Sequence, residues 1–406
     1  MSSILIKFSS KGITVEILYF DWGEIVVADV CEVLRRKGHS VTVIHEDIGY
    51  IVKNPIIQKK LEEQLDKKKY DFVMSCNFLP DIAKAAFVKE ICYISWIYDC
   101  PCNTMYTEMI RSPYNIIFDF DLDEVKKFKK LGVKNIYHLP YGHNFKRVDK
   151  LIEDNKGNLE NPLYKNDIAF LGSMYEKYDV SEKLSVIPPY YSGYLKGLVR
   201  AQHDTPGGEI IDKFINSNKA DEILEYIKFT SMDEAIATNK DLLYFIISKQ
   251  IDAYDRMNLF TFLTGDISKM YNVGIYSTST GKRIDKVNKG VANAYSEQYL
   301  VYRASKININ WTVRGITSAI NLRSLNVLGS GGFLLTNYSH EAYNELVANG
   351  CCVMFTDLDD LKEKCIYYME HDEQRKKIAK RGYEYCKKNY SLDLMIGKML
   401  DIIEKI

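Results

Sequence analysis

Through the first 145 residues, short β-branched or aromatic runs alternate with amphipathic stretches whose apolar residues recur every three to four positions. "VEILYFD", "SVTVIHE", "YDFVMSCN", "CYISWIYD" and "YNIIFDFD" read as strands, and "NIYHLPYG" supplies a last short one. Between them, "EIVVADVCEVLRRKG" (closed by Gly38), "PDIAKAAFVKE" and "LDEVKKFKKLG" read as helices. Such alternation dictates parallel strands, because a parallel pair needs a long right-handed crossover and a helix is the usual one. The predicted fold class is therefore α/β with a doubly wound sheet. "ILIKFSS", ahead of "KGITVEIL", adds an expected antiparallel edge hairpin.

A polar interval, "DKLIEDNKGNLENPLYKN", precedes a fresh strand, "DIAFLGS". We place the domain boundary there, near residues 150 to 165, which gives domains at 1–160 and 161–406. Residues 180–263 are mostly helical, an insertion able to serve as a lid or as a dimer face. The alternation then resumes with "VGIYST", "EQYLVYRAS", "KININW", "NLRSLNVLGSGGFLLTNY" and "CCVMFT". A helical tail, 372–406, is expected to pack back on the first domain. Two Rossmann-like halves of this kind hold ligands in a cleft at the carboxyl ends of their sheets.

Charge is balanced, 54 basic residues against 54 acidic, so nothing electrostatic points to a nucleic-acid or membrane surface. "MSSILIKFSSKG" sets a lysine inside a short apolar run, so no secretory leader is expected, and no 18-residue apolar segment suggests a membrane span. The nine cysteines are scattered without a CxxC pair or a histidine cluster. That usage fits a reduced cytoplasm rather than a disulfide frame or a zinc site.

Several segments, taken in order, resemble the CgeB-like (spore-maturation type) glycosyltransferases of the GT-B superfamily. In the first domain these are "YFDWGE", "YDFVMSCNFLP", "YISWIYDCP" and "NIYHLPYG". In the second they are "DIAFLGSMYE", "SKININWTVRGITSAINLRSLNVLGSGGFLLTNY" and "RKKIAKRGYEYCKKNYS", so the resemblance runs from about residue 15 to 392. It implies a GT-B fold, two Rossmann-like domains facing across a cleft. It further implies an activated sugar held by the C-terminal domain, an acceptor met by the N-terminal one, retention of configuration, and no metal. The expected co-substrate is a UDP-linked sugar, glucose or N-acetylglucosamine. The expected acceptor is a hydroxyl of a protein, such as flagellin or a spore or surface protein, or of a glycan.

The donor site is expected to begin at Gly172 and Ser173, where a strand ends and a helix should begin, so that backbone N–H groups and a hydroxyl face a diphosphate. Lys177 is the one basic residue close behind. Arg314 and Arg323 are candidates for stabilising the leaving phosphate, since a guanidinium fork matches phosphate oxygens and stays charged; surface ion pairs are the plainer use. Thr317 and Ser318 add hydroxyls to the phosphates or the sugar. The helix from Asn321 offers its first turn to phosphate, and Gly331 and Gly332 turn the chain tightly into "FLLT". At the position of Asn326 the family pattern commonly has a carboxylate for the ribose diol; asparagine accepts more weakly. Tyr276 and Tyr295 lie where such folds hold the base, though both also suit a core.

In the first domain Asp21, Gly23 and Asp99 end strands, and Asp99 is the candidate to position an acceptor hydroxyl or act as its base. His138 and His143 flank "LPYG" and read as structural. Asp119 and Asp121 form a DxD, which would hold a divalent metal in a GT-A enzyme; the same acids suit the first turn of a helix. Two further alternatives stand: a nucleotide-sugar-binding or spore-structural homologue with impaired chemistry, motivated by Asn326, and a sugar-nucleotide epimerase of the same build.

Overall fold

The computed structural model describes residues 14–46, 55–176, 179, 187–205, 207, 210–227 and 235–406. Packing divides the chain into two compact units. One comprises Met1–Gly142, Thr230–Ala237 and Tyr390–Ile406; the other comprises His143–Phe229 and Thr238–Asn389. The N-terminal hairpin anticipated from the sequence lies outside the described residues.

The first unit holds β1 (Glu16–Asp21), β2 (Ser40–His45), β3 (Phe72–Cys76), β4 (Cys92–Trp96), β5 (Asn115–Asp119) and β6 (Ile136–His138). They form one sheet in the order β2-β1-β3-β4-β5-β6, every neighbouring pair parallel. The central strands β3, β4 and β5 are buried at every position. That explains why "FVMSC" and "CYISW" read as continuous apolar runs rather than alternating ones. Two later pieces of chain complete this unit. The Ile236 N–H donates to the Tyr106 carbonyl at 3.1 Å. The helix Leu392–Ile403 packs on the helix Val27–Arg36, with Arg36 Nη2 2.6 Å from Asp393 Oδ1.

The second unit holds β7 (Ile168–Leu171), β8 (Val273–Tyr276), β9 (Ile307–Asn310), β10 (Leu334–Thr336) and β11 (Val353–Met354). Their order is β11-β10-β9-β7-β8, again all parallel. Sequential order therefore reverses at β7, whose neighbours are β8 on one side and β9 on the other. Ligands of doubly wound sheets bind at such a reversal, beyond the carboxyl ends of the strands.

The compact units part between Gly142 and His143, ahead of the 160/161 division drawn from the polar interval. The helix Phe145–Asp154 buries Phe145 and Val148, packs on the helix Glu297–Ala304, and receives the Tyr383 hydroxyl at Asp149. Its outer face is charged, and that face is what made the segment look like a linker. Likewise only the end of the tail joins the first unit, while Asp372–Asn389 stays with the second.

The helical insertion has a small core of its own, built on Leu195, Ile223, Leu243, Ile247 and Ile251. Its last helix, the 26-residue Asn239–Thr264, then runs on into the main core, where Leu259, Phe260 and Leu263 pack with Ile168, Phe170 and Ile309. At 1.5 Å per residue it is about 39 Å long, enough to reach both clusters. No described helix is long and apolar enough to cross a membrane.

Candidate functional site

β9 ends at Asn310, fully buried, whose side chain is a hub. Its Nδ2 donates to Thr336 Oγ1 at 2.9 Å, Thr312 Oγ1 at 3.1 Å and Ser324 Oγ at 3.3 Å. Its Oδ1 accepts from Asn321 Nδ2 at 3.2 Å and Arg323 Nη1 at 3.3 Å. The hub thus fixes two parts of the following helix, Leu322–Gly329: the cap, where Asn321 Oδ1 accepts from the Ser324 N–H at 2.9 Å, and the first-turn guanidinium of Arg323. A cation and a helix start stand together at the sheet's reversal, where helix partial charge also favours an anion.

A second wall comes from the insertion. Asp252, Asp255 and Arg256 share one face of the long helix, spaced i, i+3, i+4, and each bonds the loop after β9. The Arg314 N–H donates to Asp252 Oδ1 at 2.6 Å, Trp311 Nε1 donates to Asp255 Oδ2 at 3.3 Å, and Arg256 Nη2 donates to the Trp311 carbonyl at 2.6 Å. His203 Nδ1 lies 2.5 Å from Asp255 Oδ1, a partner that raises the imidazole above its ordinary value. Burial pushes the Arg256 guanidinium down, and the nearby charge of Arg323 acts in the same direction, against the pull of Tyr175, Asp252 and Asp255. An arginine nonetheless stays charged.

Burial raises Asp252 from its ordinary 3.8 to about 6, with the Arg314 N–H pulling the other way. The folded state therefore holds this proton more tightly than the unfolded chain does. The resulting stabilisation, on the order of 2–3 kcal/mol, is complete below about pH 4 and is lost as pH rises through 6. Asp252→Asn is expected to flatten this part of the profile, so that urea midpoints at pH 4 and pH 7 differ less than in the wild type. An unchanged difference would mean that Asp252 is not the group titrating.

The sequence candidates of this unit divide by environment. Gly172 follows β7 with φ 151°, a conformation suited to glycine, but its N–H donates to the Tyr276 carbonyl at 3.0 Å and is not offered to a ligand. The Met174 N–H is likewise spent on Ser279 Oγ at 3.0 Å. Among the described residues, neither the N–H nor the hydroxyl of Ser173 is engaged. Two residues behind it Tyr175 is left-handed at φ 60°, and Lys177 lies outside the described residues. Arg314 is anchored through its backbone, and Thr317 and Ser318 lie in the bend before Asn321, with the Ser318 carbonyl accepting from the Glu341 N–H at 2.8 Å. Asn326 is buried mid-helix and its Oδ1 lies 2.9 Å from His143 Nδ1, so its amide is held by that imidazole.

Of the two tyrosines, Tyr295 keeps an exposed ring and Tyr276 does not. Tyr276 is buried, with its hydroxyl donating to the Leu163 carbonyl and accepting from Asn166 Nδ2 at 2.9 Å. One face of Tyr295 is covered by the Arg147 guanidinium, 3.9 Å from the ring centre. Sequence reasoning missed Asn310 and the Asp252/Asp255/Arg256 face. The available signal was three charges at helical spacing inside the otherwise apolar "IDAYDRMNLF".

In the first unit, Asp99 Oδ2 accepts from Asn77 Nδ2 at 2.8 Å, while the Tyr98 and Asp99 N–H groups donate to Asn77 Oδ1. Asn77 sits at φ 56° just after β3 and clamps the strand end that carries Asp99. Asp21 Oδ1 accepts from the Gly23 N–H, and its Oδ2 lies 2.8 Å from His45 Nδ1. Beside it, burial raises Glu24 to about 7. The DxD is part of a helix start: Asp121 Oδ1 accepts from the Asp123 and Glu124 N–H groups. Asp119 accepts from the Asp121 N–H, and burial raises its carboxyl well above the usual range. The GT-A alternative is corrected at the level of its fold, since the chain carries two separate parallel sheets, one in each compact unit.

Over 97% of its length the chain superposes on 98% of a glycosyltransferase from Rickettsia africae ESF-5, with TM-score 0.50 and 14% identity. The Anabaena protein HepE, solved in complex with UDP and glucose, matches over 97% of this chain and 100% of its own, with TM-score 0.52 and 9% identity. The chain has the GT-B fold. A UDP-N-acetylglucosamine 2-epimerase described as such by inference, from Listeria monocytogenes, shares that GT-B architecture at TM-score 0.50 and 10% identity, over 97% of this chain and 96% of its own. Residues 266–401, which include Asn310 and Arg323, match the family model described as Glycosyl transferase-like. No curated protein matches the sequence significantly.

Proposed function

We propose that the chain is a glycosyltransferase taking its sugar, glucose or N-acetylglucosamine, from a UDP donor, and passing it with retention and without a metal to a hydroxyl of a protein or surface glycan. The observation that carries this reading is the Asn310 hub, which fixes Arg323 and a helix start together at the reversal of the second sheet. The match of residues 266–401 to a glycosyl transferase-like family supports it. In this role Arg323 and the first turn of the helix stabilise the departing diphosphate, and Arg314 and Ser173 lie on the adjoining loops. Attack then comes from the face that the diphosphate leaves. Asp99, held by Asn77, is the group of the first unit proposed to bind the acceptor hydroxyl.

Asn326 motivates a second reading. Its amide is occupied by His143, so a ribose contact there would have to displace it, and a nucleotide-sugar-binding homologue with impaired turnover would look the same.

A thermal-shift panel of UDP, GDP, ADP, CMP and their common sugars, each with EDTA and with manganese, tests the assignment. A ligand at 100 times its dissociation constant stabilises by about 2.7 kcal/mol. A shift with a UDP-sugar that survives EDTA is expected. A shift only with manganese would overturn the metal-free mechanism, and no shift with any nucleotide would overturn the donor. Sugar transfer or slow donor hydrolysis by the same preparation would exclude the impaired homologue, and release of an epimerised sugar would point to the epimerase.

A further inference from the structure

We infer that Arg256, delivered by the insertion helix, binds the diphosphate of the donor directly; this rests on the donor reading above. Arg256 is 1% exposed. Its Nη2 is satisfied by the Trp311 carbonyl, but its Nη1, equally enclosed, has no hydrogen-bond partner among the described residues. A buried guanidinium N–H without an acceptor is costly, and structures seldom tolerate one without a use.

The acids that could have neutralised it are committed elsewhere. Asp252 accepts from the Arg314 N–H, and Asp255 from Trp311 with His203 alongside. Among the described residues neither Arg256 nor Arg323 forms an ion pair, yet the charge of one acts on the other. Asp252 and Asp255 act on Arg256 without bonding it, so two cations gathered without a direct ion pair among the described residues suit an anion with several acceptor oxygens.

Gly172 stands against the enclosed Nη1. A β-carbon added there would stand 3.6 Å from Arg256 Nη1 and 3.2 Å from the Phe170 ring, so the missing side chain leaves Nη1 facing the loop after β7. The strand-loop itself supplies no cation among its described residues, and the insertion brings one to that place. This assigns to the insertion helix a part in donor recognition that its position in the sequence did not suggest.

Titration calorimetry with UDP and with UMP, on the wild type, Arg256→Gln and Arg256→Lys, tests the inference. Arg256→Gln is expected to weaken UDP at least about tenfold and UMP less than about threefold, with Arg256→Lys between, because a lysine keeps the charge but loses the fork. Equal loss for UDP and UMP would mean that Arg256 only props the Trp311 loop, and would overturn the inference while leaving the donor reading. Unchanged UDP affinity would do the same. If the glutamine variant does not fold, the lysine variant decides: UDP affinity equal to that of the wild type overturns direct contact. A wild type that binds neither nucleotide removes the donor reading and this inference together.

Discussion

Arg323→Ala is expected to lower sugar transfer at least about tenfold, and toward a hundredfold, with the fold intact. The side chain is half-buried and bonds the Asn310 hub through one nitrogen at 3.3 Å, with no ion pair among the described residues. Its removal therefore takes little from the native state. In the proposed mechanism it removes a charge that matters most when the diphosphate departs, so the loss should fall on kcat more than on KM. Arg323→Lys should recover part of the rate by restoring the charge without the fork. Rates near wild type for the alanine variant, with an unchanged melting curve, would sink the assignment of Arg323 and of the helix start it sits on.

Gly332→Ala is expected to be strongly destabilising, a loss of about 2–4 kcal/mol. The new methyl would stand 2.5 Å from the Tyr302 carbonyl oxygen, 2.8 Å from Asn308 Nδ2 and 3.2 Å from a Val327 methyl. The first is helix backbone, and the second is already bonded to that carbonyl at 3.0 Å and to the Phe333 carbonyl at 3.3 Å, so neither can yield cheaply. For a domain of this size the melting temperature should fall on the order of 5–15 °C. Gly193→Ala is the control: it lies within the helix Pro189–His203 with nothing inside 4 Å of the added carbon, and should be neutral or slightly stabilising. A Gly332 variant that melts with the control would show that the turn into β10 is looser than its contacts require.

The fold class was legible because alternation is a local property: "VEILYFD" and "KININW" declare themselves by their own side chains, and helical crossovers leave few topologies open. Partnership is not local. The helix Phe145–Asp154 shows its charged face to a reader of sequence, while the Phe145 and Val148 contacts that tie it to the second unit come from residues far along the chain. The site divides in the same way. Arg323 could be found because a guanidinium just inside a capped helix start after a buried strand is a local pattern. Asn310 read as one polar residue in a strand, and its five bonds depend on β10 and on the Asn321 cap. Tyr276 failed as a stacking candidate for the converse reason: a tyrosine ending a strand looks the same whether its hydroxyl meets a ligand or the Leu163 carbonyl.

The three bonds from Asp252, Asp255 and Arg256 to residues 311–314 bear on how this scaffold could be re-engineered. The segment between β7 and β8 looks like the natural part to trim or exchange when acceptor preference is to be altered. Excising the whole of it would strip the loop after β9 of its supports and take Leu259, Phe260 and Leu263 out of the core. A chimera should instead be joined ahead of Asp252, so that the C-terminal half of the helix stays with the sheet it packs on and only the outer helical cluster is swapped.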